Sequence, residues 1–381
     1  MHDAPRRSRT AEAGARGRFV IAGGGTGGHV TLALALGEEL AALGESVLFL
    51  GTTRGLETRL VPEAGFELVT LPSRQAVGTR ALARAAAVAA LVPTTLRAGR
   101  VLHRARAQLV ISVGGYAAVP AVLAAVPLRV PIVVVEPNAQ PGRTNRLAAR
   151  VAARIFVGFE GATTAFGGAR RAARVRCLGV PLRRSMRDAF HAAAPRRALE
   201  PPFRLLVFGG SQGARQLNEA MIEAAPALRD SALQVFHQSG AADRDRVAAA
   251  YADAGVHAEV VAFEPDMPAR YRWADLALCR AGALSIAELA LAGLPALLVP
   301  LAHAADDHQS ANARQLVEAG AARMFDPRRF AAADLVETLL GILEKPEQLL
   351  AMQRSAAQRA RPRAAEAIAE ECRTLVMDAR V

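Results

Sequence analysis

Two glycine-rich segments come directly after apolar, strand-like runs of the sequence. The first, AGGGTGGHV, holds five glycines between Gly23 and Gly28 and continues into His29. The second, FGGSQGA, covers Phe208–Ala214. A strand that ends in such a loop and continues as a helix presents backbone amides and the positive end of the helix dipole to an anion. Glycine suits these positions because a Cβ would block the approach of a phosphate. The sequence therefore predicts two phosphate-binding loops.

A third segment of the same kind, CRAGALSIAELALAGLPALLVP, begins at Cys279. A short strand, a loop over Ala281–Ala283 and a helix carrying Glu288 would place amides on a diphosphate and a carboxylate near a ribose. For an isolated glutamate, a solvent-facing position on a helix is the more common interpretation, and the surrounding motif changes that balance. The run after the first glycine loop, VLFLGTT, has no acidic residue at its end, so the pattern disfavours a dinucleotide-dependent oxidoreductase.

Apolar runs that alternate with helical patterns must position these loops. They are VLFL, LVISV, PIVVV and RIFVGF in the first half, and LLVF, LQVFH, AEVVAF, LALC and ALLVP in the second. Continuous apolar runs indicate strands buried on both faces, as in parallel sheets covered by helices. At 381 residues the chain exceeds the usual size of one hydrophobic core. We therefore predict two doubly wound α/β domains, with the boundary within Gly179–Pro202.

The net charge of +12 indicates a surface that attracts phosphates, nucleic acid or anionic lipid. Nucleic acid is disfavoured because only 4% of the residues are aromatic and the sequence has no recognisable nucleic-acid-binding module. The cysteines Cys177, Cys279 and Cys372 are scattered without metal-ligand spacing, as expected of a reduced cytosolic chain. Residues 1–17 lack the apolar region of a signal peptide and are predicted to form a disordered tail.

The segment Ala107–Leu128 carries no charge and is long enough to cross a bilayer. Its glycine pair and the prolines Pro120 and Pro127 favour a buried strand, a tight loop and a core helix instead.

Eight motifs occur in an order and at spacings that resemble the MurG family of bacterial glycosyltransferases. They are AGGGTGGHV, SVGGYAAVPAV, VVVEPNAQPGRTNRLA, FGGSQGARQLN, HQSG, FEPDM, CRAGALSIAEL and HAADDHQSANA. The resemblance implies a GT-B fold, an α/β architecture in which two Rossmann-like doubly wound domains face each other across a cleft. It implies a tail at 1–17, an acceptor and membrane domain at 18–180, a donor domain at 181–358, and a final helix at 359–381 that packs back on the first domain.

The family transfers N-acetylglucosamine from UDP-GlcNAc to the MurNAc C4 hydroxyl of undecaprenyl-pyrophosphoryl-MurNAc-pentapeptide. This inverting step converts lipid I to lipid II in peptidoglycan synthesis, and the resemblance implies the same activity here. Matched residue by residue, it implies donor contacts from Arg183, Ser211, Gln212, Gly213, Phe263, Glu264, Ala283, Leu284, Ser285, Glu288, His308 and Gln309. It implies acceptor contacts from Thr26, Gly27, Gly28, Gly114, Gly115, Tyr116 and Asn138. Glu288 would bind the ribose hydroxyls, and His308 and Gln309 would reach the sugar.

The sequence departs from the family pattern at several positions. The usual HEQN is replaced by VEPN at Val135–Asn138, and the aromatic residue and proline that usually follow His29 are Thr31 and Leu32. The usual asparagine before Pro181 is Val180, and His308 stands where glutamine is frequent. Most of these departures concern the acceptor side.

His29 and Glu136 are the predicted catalytic residues. Histidine has an unperturbed pKa of about 6.5, which suits removal of the acceptor hydroxyl proton near neutral pH. In a second interpretation His29 only positions the loop or a phosphate, and Glu136 becomes the candidate base. Backbone amides, a helix N-terminus and Arg183 can stabilise the leaving diphosphate, so the argument requires no metal or other cofactor. A DxD motif at Asp243–Asp245 is predicted to lie on a surface helix.

Arginines surround an apolar middle in the segment Ala76–Gln108; they are Arg80, Arg84, Arg97, Arg100, Arg104 and Arg106. One interpretation is an ordinary pair of helices with solvated arginines. The other is a peripheral contact with an anionic membrane surface, at the cytoplasmic face of a bacterial inner membrane. Other proteins of cell-wall synthesis are further candidate partners.

Two other functions stay open from the sequence. One is a GT-B glycosyltransferase with a different glycolipid acceptor, and the other is a UDP-GlcNAc 2-epimerase. Product analysis with UDP-GlcNAc alone distinguishes the epimerase from a transferase.

Overall fold

The computed structural model describes residues 18–72, 81–166, 173–191, 199–210, 212–302 and 307–379, with the backbone alone over 81–90. The chain divides into two compact units. The first contains Met1–Pro137, Pro141–Arg183 and Arg363–Val381, and the second contains Asn138–Gln140 and Arg184–Pro362. The predicted tail at 1–17, Arg80 and Ser211 lie outside the described residues.

The first unit is built on a seven-stranded parallel sheet of order β3-β2-β1-β4-β5-β6-β7. Its strands are β1 Phe19–Gly23, β2 Val47–Thr52, β3 Glu67–Leu71, β4 Leu109–Gly114, β5 Ile132–Glu136, β6 Arg154–Val157 and β7 Val175–Cys177. Strands β2, β4 and β5 are buried at every residue, as their continuous apolar sequences predicted. The strand order reverses between β1 and β4, so the loops after these strands meet at the switch point where such folds bind ligands.

In the part of the first unit that the structure describes, five α-helices lie between these strands, and a sixth comes from the end of the chain. They are α1 Gly27–Ala42, α2 Glu57–Glu63, α3 Ala81–Arg104, α4 Ala118–Ala125, α5 Arg143–Ala148 and, after the second unit, α14 Ala364–Asp378. Helix α14 packs against α1 and buries Ile368 and Cys372 completely. The last helix is therefore part of the core of the first unit.

The second unit has a six-stranded parallel sheet of order β10-β9-β8-β11-β12-β13. Its strands are β8 Phe203–Phe208, β9 Leu233–Gln238, β10 Ala258–Val261, β11 Leu276–Cys279, β12 Ala296–Leu298 and β13 Ala322–Met324. Its helices are α6 Arg184–His191, α7 Arg215–Ala224, α8 Arg244–Ala254, α9 Met267–Trp273, α10 Ala283–Ala292, α11 His308–Val317, α12 Ala332–Leu343 and α13 Pro346–Gln358. The two sheets confirm the predicted α/β class with two Rossmann-like doubly wound domains.

The uncharged segment Ala107–Leu128 forms β4, a tight loop and α4, which confirms the interpretation as strand, loop and helix. Val110, Ile111 and Ala121 within it are fully buried. Over the described part of the chain, none of the helices has both the length and the apolar character needed to cross a membrane.

The packing of α14 gives a test of the fold. Ile368→Ala should lower the free energy of unfolding by about 2–5 kcal/mol, because the side chain is fully buried and its truncation leaves a cavity. Met377→Ala, on the same helix but 59% exposed, is the control and should stay within about 0.5 kcal/mol of wild type. Chemical denaturation measures both, and equal stability of the two variants would contradict this packing.

Candidate active site

The first glycine loop connects β1 to the N-terminus of α1. Thr26 is the N-cap residue of α1, and its hydroxyl lies 2.9 Å from Nδ1 of His29. The other ring nitrogen of His29, Nε2, lies close to Gly114, since a Cβ added there would be 3.2 Å from it. His29 is half-buried, whereas Thr26 and Gly28 are exposed. The loop therefore presents backbone and one imidazole at the carboxyl edge of the sheet.

The glycines of this loop, and Gly115 in the loop after β4, serve two different purposes. A Cβ at Gly24 would collide with the carboxylate of Glu57, and a Cβ at Gly115 would collide with the carbonyl oxygen of Gly24. A Cβ at Gly25 would meet no atom within 4 Å, and the φ of Gly25 is 91°. The expectation that glycine only leaves room for a phosphate therefore needs correction. Some of these glycines permit the packing of protein groups, and Gly25 faces open space.

A buried carboxylate that the motifs did not reveal lies beneath the loop. Glu57 is 2% exposed; its Oε2 accepts the amide of Gly25 at 3.1 Å, and its Oε1 accepts the amide and hydroxyl of Thr52 at 2.8 and 2.7 Å. Burial acts to raise the pKa of Glu57, but the hydrogen bonds from Thr52 and Gly25 lower it below its usual value. Glu57 is thus an ionised residue inside the first unit.

Glu136, the second predicted catalytic residue, is 1% exposed at the end of β5. Its Oε2 accepts the amide of Gly142 at 3.0 Å and the side-chain amide of Asn145 at 2.9 Å. Asn145 in turn accepts a hydrogen bond from the hydroxyl of Ser112. This geometry favours a role in holding the loop before α5, so His29 is the better placed of the two candidate bases.

Tyr116 follows Gly114 and Gly115 in the loop after β4 and is half-buried.

The second glycine loop connects β8 to α7. A Cβ at Gly213 would collide with the carbonyl oxygen of Ser239, which follows β9, whereas a Cβ at Gly210 would meet nothing within 4 Å. The side-chain amide of Gln238 donates to the carbonyl of Gly210 at 2.9 Å. Gln212 is exposed. The arrangement repeats that of the first unit, because one glycine permits the contact of two loops and another faces open space.

The third predicted loop leads into α10, whose N-cap residue is Gly282. Ala283, Leu284 and Ser285 form its first turn, with Glu288 one turn further along. The hydroxyl of Tyr271 donates to Oε2 of Glu288 at 2.8 Å. Burial raises the pKa of the Glu288 carboxyl to about 7, and the hydrogen bond from Tyr271 opposes that shift. Tyr271 is a partner of Glu288 that the motifs did not reveal.

Further donor-side predictions fall on a loop and on a helix start of the second unit. Glu264 accepts the amide of Asp266 at 2.7 Å and Nε of Arg270 at 2.7 Å, which fixes the loop that carries the 58% exposed Phe263. Gln309, beside the half-buried His308 in the first turn of α11, accepts the amide of Leu301 through Oε1 at 2.9 Å.

Asn138 belongs to the short segment that groups with the second unit. The side-chain amide of the fully buried Asn312 donates to Oδ1 of Asn138 at 3.1 Å and to the carbonyl of Ala281 at 3.2 Å. Its oxygen accepts the amide of Ala139 at 2.8 Å. Asn312 therefore joins a predicted acceptor residue to the loop that precedes α10.

Arg183 groups with the first unit, where Nε and Nη2 bind Oε1 of Glu38 at 2.8 and 2.5 Å. Its predicted contact with the donor stays a prediction.

Polar residues around the HQSG and DxD motifs bind one another. His237 lies between the hydroxyl of Tyr251 and Oδ1 of Asn218, and burial lowers its pKa to about 3. Asp243 accepts hydrogen bonds from Asn218 and Arg246. Within the described residues, no group of three or more histidine, cysteine, aspartate or glutamate side chains could hold a metal ion.

Two family models match the chain. The N-terminal domain of glycosyltransferase family 28 matches residues 19–157, and the C-terminal domain of the same family matches residues 204–368. Two Rossmann-like sheets with glycine-rich loops, together with these matches, define a glycosyltransferase of family 28.

Relatives narrow the assignment. A UDP-N-acetylglucosamine--N-acetylmuramyl-(pentapeptide) pyrophosphoryl-undecaprenol N-acetylglucosamine transferase of Myxococcus xanthus is 39% identical over 367 residues, covering 94% of this chain and 93% of the relative. The crystal structure of MurG from Acinetobacter baumannii matches with a TM-score of 0.78 and 31% identity, covering 94% of this chain and 100% of that chain. The chain belongs to the MurG family.

A UDP-GlcNAc 2-epimerase from Neisseria meningitidis, solved bound to UDP-GlcNAc, also shares the fold. It matches with a TM-score of 0.64 at 13% identity and covers 93% of this chain and 98% of its own. This likeness concerns the fold alone.

The environment of Glu288 predicts an unusual titration. Its carboxyl should titrate near pH 7 in the free protein because burial disfavours the charged form. Tyr271→Phe removes the hydrogen bond that opposes this shift, so the pKa should rise further. A ¹³C NMR titration measures both values, with Glu288→Gln identifying the resonance. A wild-type pKa near 4.5 would contradict the described burial.

Proposed function

We propose that this chain transfers N-acetylglucosamine from UDP-GlcNAc to the C4 hydroxyl of MurNAc in undecaprenyl-pyrophosphoryl-MurNAc-pentapeptide. The relatives that carry this activity in their names support the proposal, with 39% identity across nearly the whole chain for the first of them. The site observation that carries it is the pair of glycine loops, one at the carboxyl edge of each sheet, since the reaction uses two diphosphate substrates.

The second unit supplies the donor site in this proposal. The first turn of α10, Ala283–Ser285, binds the diphosphate of UDP-GlcNAc with its amides, and the loop at Gly210–Gly213 lies against the same nucleotide. The Glu288 carboxylate accepts hydrogen bonds from the ribose hydroxyls, and the hydrogen bond from Tyr271 holds this carboxylate in place. The exposed Phe263 and its loop contact uracil, and the Gln309 side chain, with His308, binds the sugar.

The first unit supplies the acceptor site. Amides of Thr26, Gly27 and Gly28 bind the acceptor diphosphate at the N-terminus of α1. The O4 oxygen of MurNAc attacks the anomeric carbon of the donor, the bond from that carbon to the diphosphate oxygen breaks, and UDP leaves with the electron pair. Nε2 of His29 takes the hydroxyl proton, while the Thr26 hydroxyl holds Nδ1. In-line displacement inverts the centre and gives a β-1,4 link.

The acceptor lipid requires contact with a membrane, and exposed apolar side chains on α3, α4 and α5 support one. Helix α3 packs against α4, and α4 packs against α5. Seven large apolar side chains on these helices or directly after them are 40–58% exposed; they are Val92, Leu96, Leu123, Val126, Leu128, Leu147 and Val151. Exposed arginines at Arg97 and Arg146 flank this apolar surface. We infer a peripheral site on the cytoplasmic face of the bacterial inner membrane.

His29→Gln tests the base. The variant should lose about 10²–10⁴-fold in kcat, because glutamine keeps a polar group beside Thr26 but removes no proton, while the Kd for UDP-GlcNAc stays within about twofold. His257→Gln, at an exposed position of the second unit, is the control. Steady-state transfer assays and calorimetry measure these values. An intact kcat with a raised acceptor KM would make His29 a positioning residue.

Glu288→Ala tests the donor site. Loss of the acceptor for two ribose hydroxyls should weaken UDP-GlcNAc binding by about 1–3 kcal/mol. In the wild type, binding should weaken as the pH falls through about 7, because protonation removes the charged acceptor, and this dependence should vanish in the variant. Calorimetry at pH 6 and pH 8 measures both effects, with the exposed Glu318→Ala as control. An unchanged affinity of Glu288→Ala for UDP-GlcNAc would indicate that Glu288 has only a structural role.

Val92→Ser combined with Leu96→Ser tests the membrane contact. Both side chains are 58% exposed, so the fold should be kept while binding to vesicles with anionic lipid weakens at least about tenfold. Leu350→Ser, exposed on the second unit, should bind vesicles as the wild type does. Cosedimentation with vesicles measures the affinity. Retention of wild-type binding by the double variant would exclude this surface.

A further inference from the structure

Glu57 lies where a charged side chain is least expected, beneath the first glycine loop and 2% exposed. Three donors at 2.7–3.1 Å converge on its two carboxylate oxygens. Two come from Thr52 at the end of β2, and one is the amide of Gly25. The side chain therefore connects the ends of two neighbouring strands, at the switch edge of the sheet.

Three glycines of the first unit leave the space that this carboxylate occupies. A Cβ at Gly24 or at Gly55 would collide with the carboxylate itself, and a Cβ at Gly51 would come within 2.6 Å of Cγ of Glu57. These glycines come from the loop after β1, from β2 and from the turn before α2. Contact between one carboxylate and glycines of three segments indicates a built pocket for Glu57.

The charge of Glu57 matters to this arrangement. An ionised carboxylate accepts all three hydrogen bonds at once, and bonds to a charged acceptor are stronger than those to a neutral one. A glutamine in its place offers one acceptor oxygen and would turn an N–H group toward either Gly25 or Thr52, each of which is itself a donor. Replacement of the charge should therefore release one side of the loop.

A short chain of contacts leads from Glu57 to the predicted base. Glu57 fixes the amide of Gly25, the next residue is Thr26, and the hydroxyl of Thr26 lies 2.9 Å from Nδ1 of His29. Thr26 is also the N-cap residue of α1. The position of Gly25 consequently influences both the free amides of the loop and the orientation of the imidazole.

We propose that Glu57 is a positioning residue for the acceptor half of the site, which holds the loop Gly24–Thr26 in the conformation that binds the acceptor diphosphate and orients His29. This inference rests on the proposed function of the loop. The proposal predicts different effects on the two substrates, because the hydrogen bonds of Glu57 within the described residues are to Gly25 and Thr52 of the first unit, whereas the donor is assigned to the second.

Glu57→Gln tests the proposal in the full-length protein. The acceptor KM should rise at least about tenfold and kcat should fall less, while the Kd for UDP-GlcNAc stays within about twofold. Glu63→Gln removes an exposed carboxylate from the same helix and is the matched control. Glu57→Asp, which keeps the charge on a shorter side chain, should recover part of the loss. A uniform fall in folded fraction and donor affinity would overturn the proposal, because a merely structural role predicts it.

Thr52→Val provides a second, milder variant, since it removes one donor to Glu57 and nearly preserves side-chain shape. Amide hydrogen exchange across residues 22–30, measured without substrates, should be faster than wild type in both Glu57→Gln and Thr52→Val. Wild-type exchange in both variants, or an acceptor KM within twofold of wild type, would overturn the proposal. If the wild-type protein transferred no sugar, the proposed function would be wrong. The hydrogen-exchange measurement alone would then show whether Glu57 holds the loop.

Discussion

Close approach of backbone to backbone at the carboxyl edges of two parallel sheets is the constraint on which the rest of this molecule depends. In the first unit Gly115 packs on the carbonyl of Gly24, and in the second Gly213 packs on the carbonyl of Ser239. Any side chain at Gly115 or Gly213 would collide with these carbonyl oxygens. Because glycine has none, the loops after neighbouring strands can meet. Their amides are then directed to one edge, where a diphosphate can bind without a metal ion.

Two carboxylates, the buried Glu57 and the half-buried Glu288, show how strongly surroundings decide the behaviour of one chemical group. Hydrogen bonds from Thr52 and Gly25 outweigh the burial of Glu57 and lower its pKa. Tyr271 also donates to Glu288, but there burial prevails and raises the pKa to about 7. The first has its charged form favoured by these donors and, in our proposal, holds a loop. The second can change its charge near neutral pH, which couples donor binding to proton release in the proposed function.

The sequence predicted the architecture well because continuous apolar runs are decisive for buried parallel strands. It also located the glycine loops and the start of helix α10, since these depend on local residue order. It missed Glu57 and Tyr271, whose partners Gly25 and Glu288 are 32 and 17 residues away and become neighbours only when the sheet forms. For the same reason it did not reveal that Glu136 accepts hydrogen bonds from Gly142 and Asn145, and a catalytic role of Glu136 stays a prediction.

The most direct test of the account is product analysis with the full-length protein and labelled UDP-GlcNAc, with and without a polyprenyl-pyrophosphoryl-MurNAc-pentapeptide analogue. The account predicts that the label moves to the lipid-linked product in a β-1,4 link, that one UDP is released for each sugar transferred, and that UDP-GlcNAc alone stays unchanged. Epimerised product from UDP-GlcNAc alone, or transfer only to other acceptors, would contradict it.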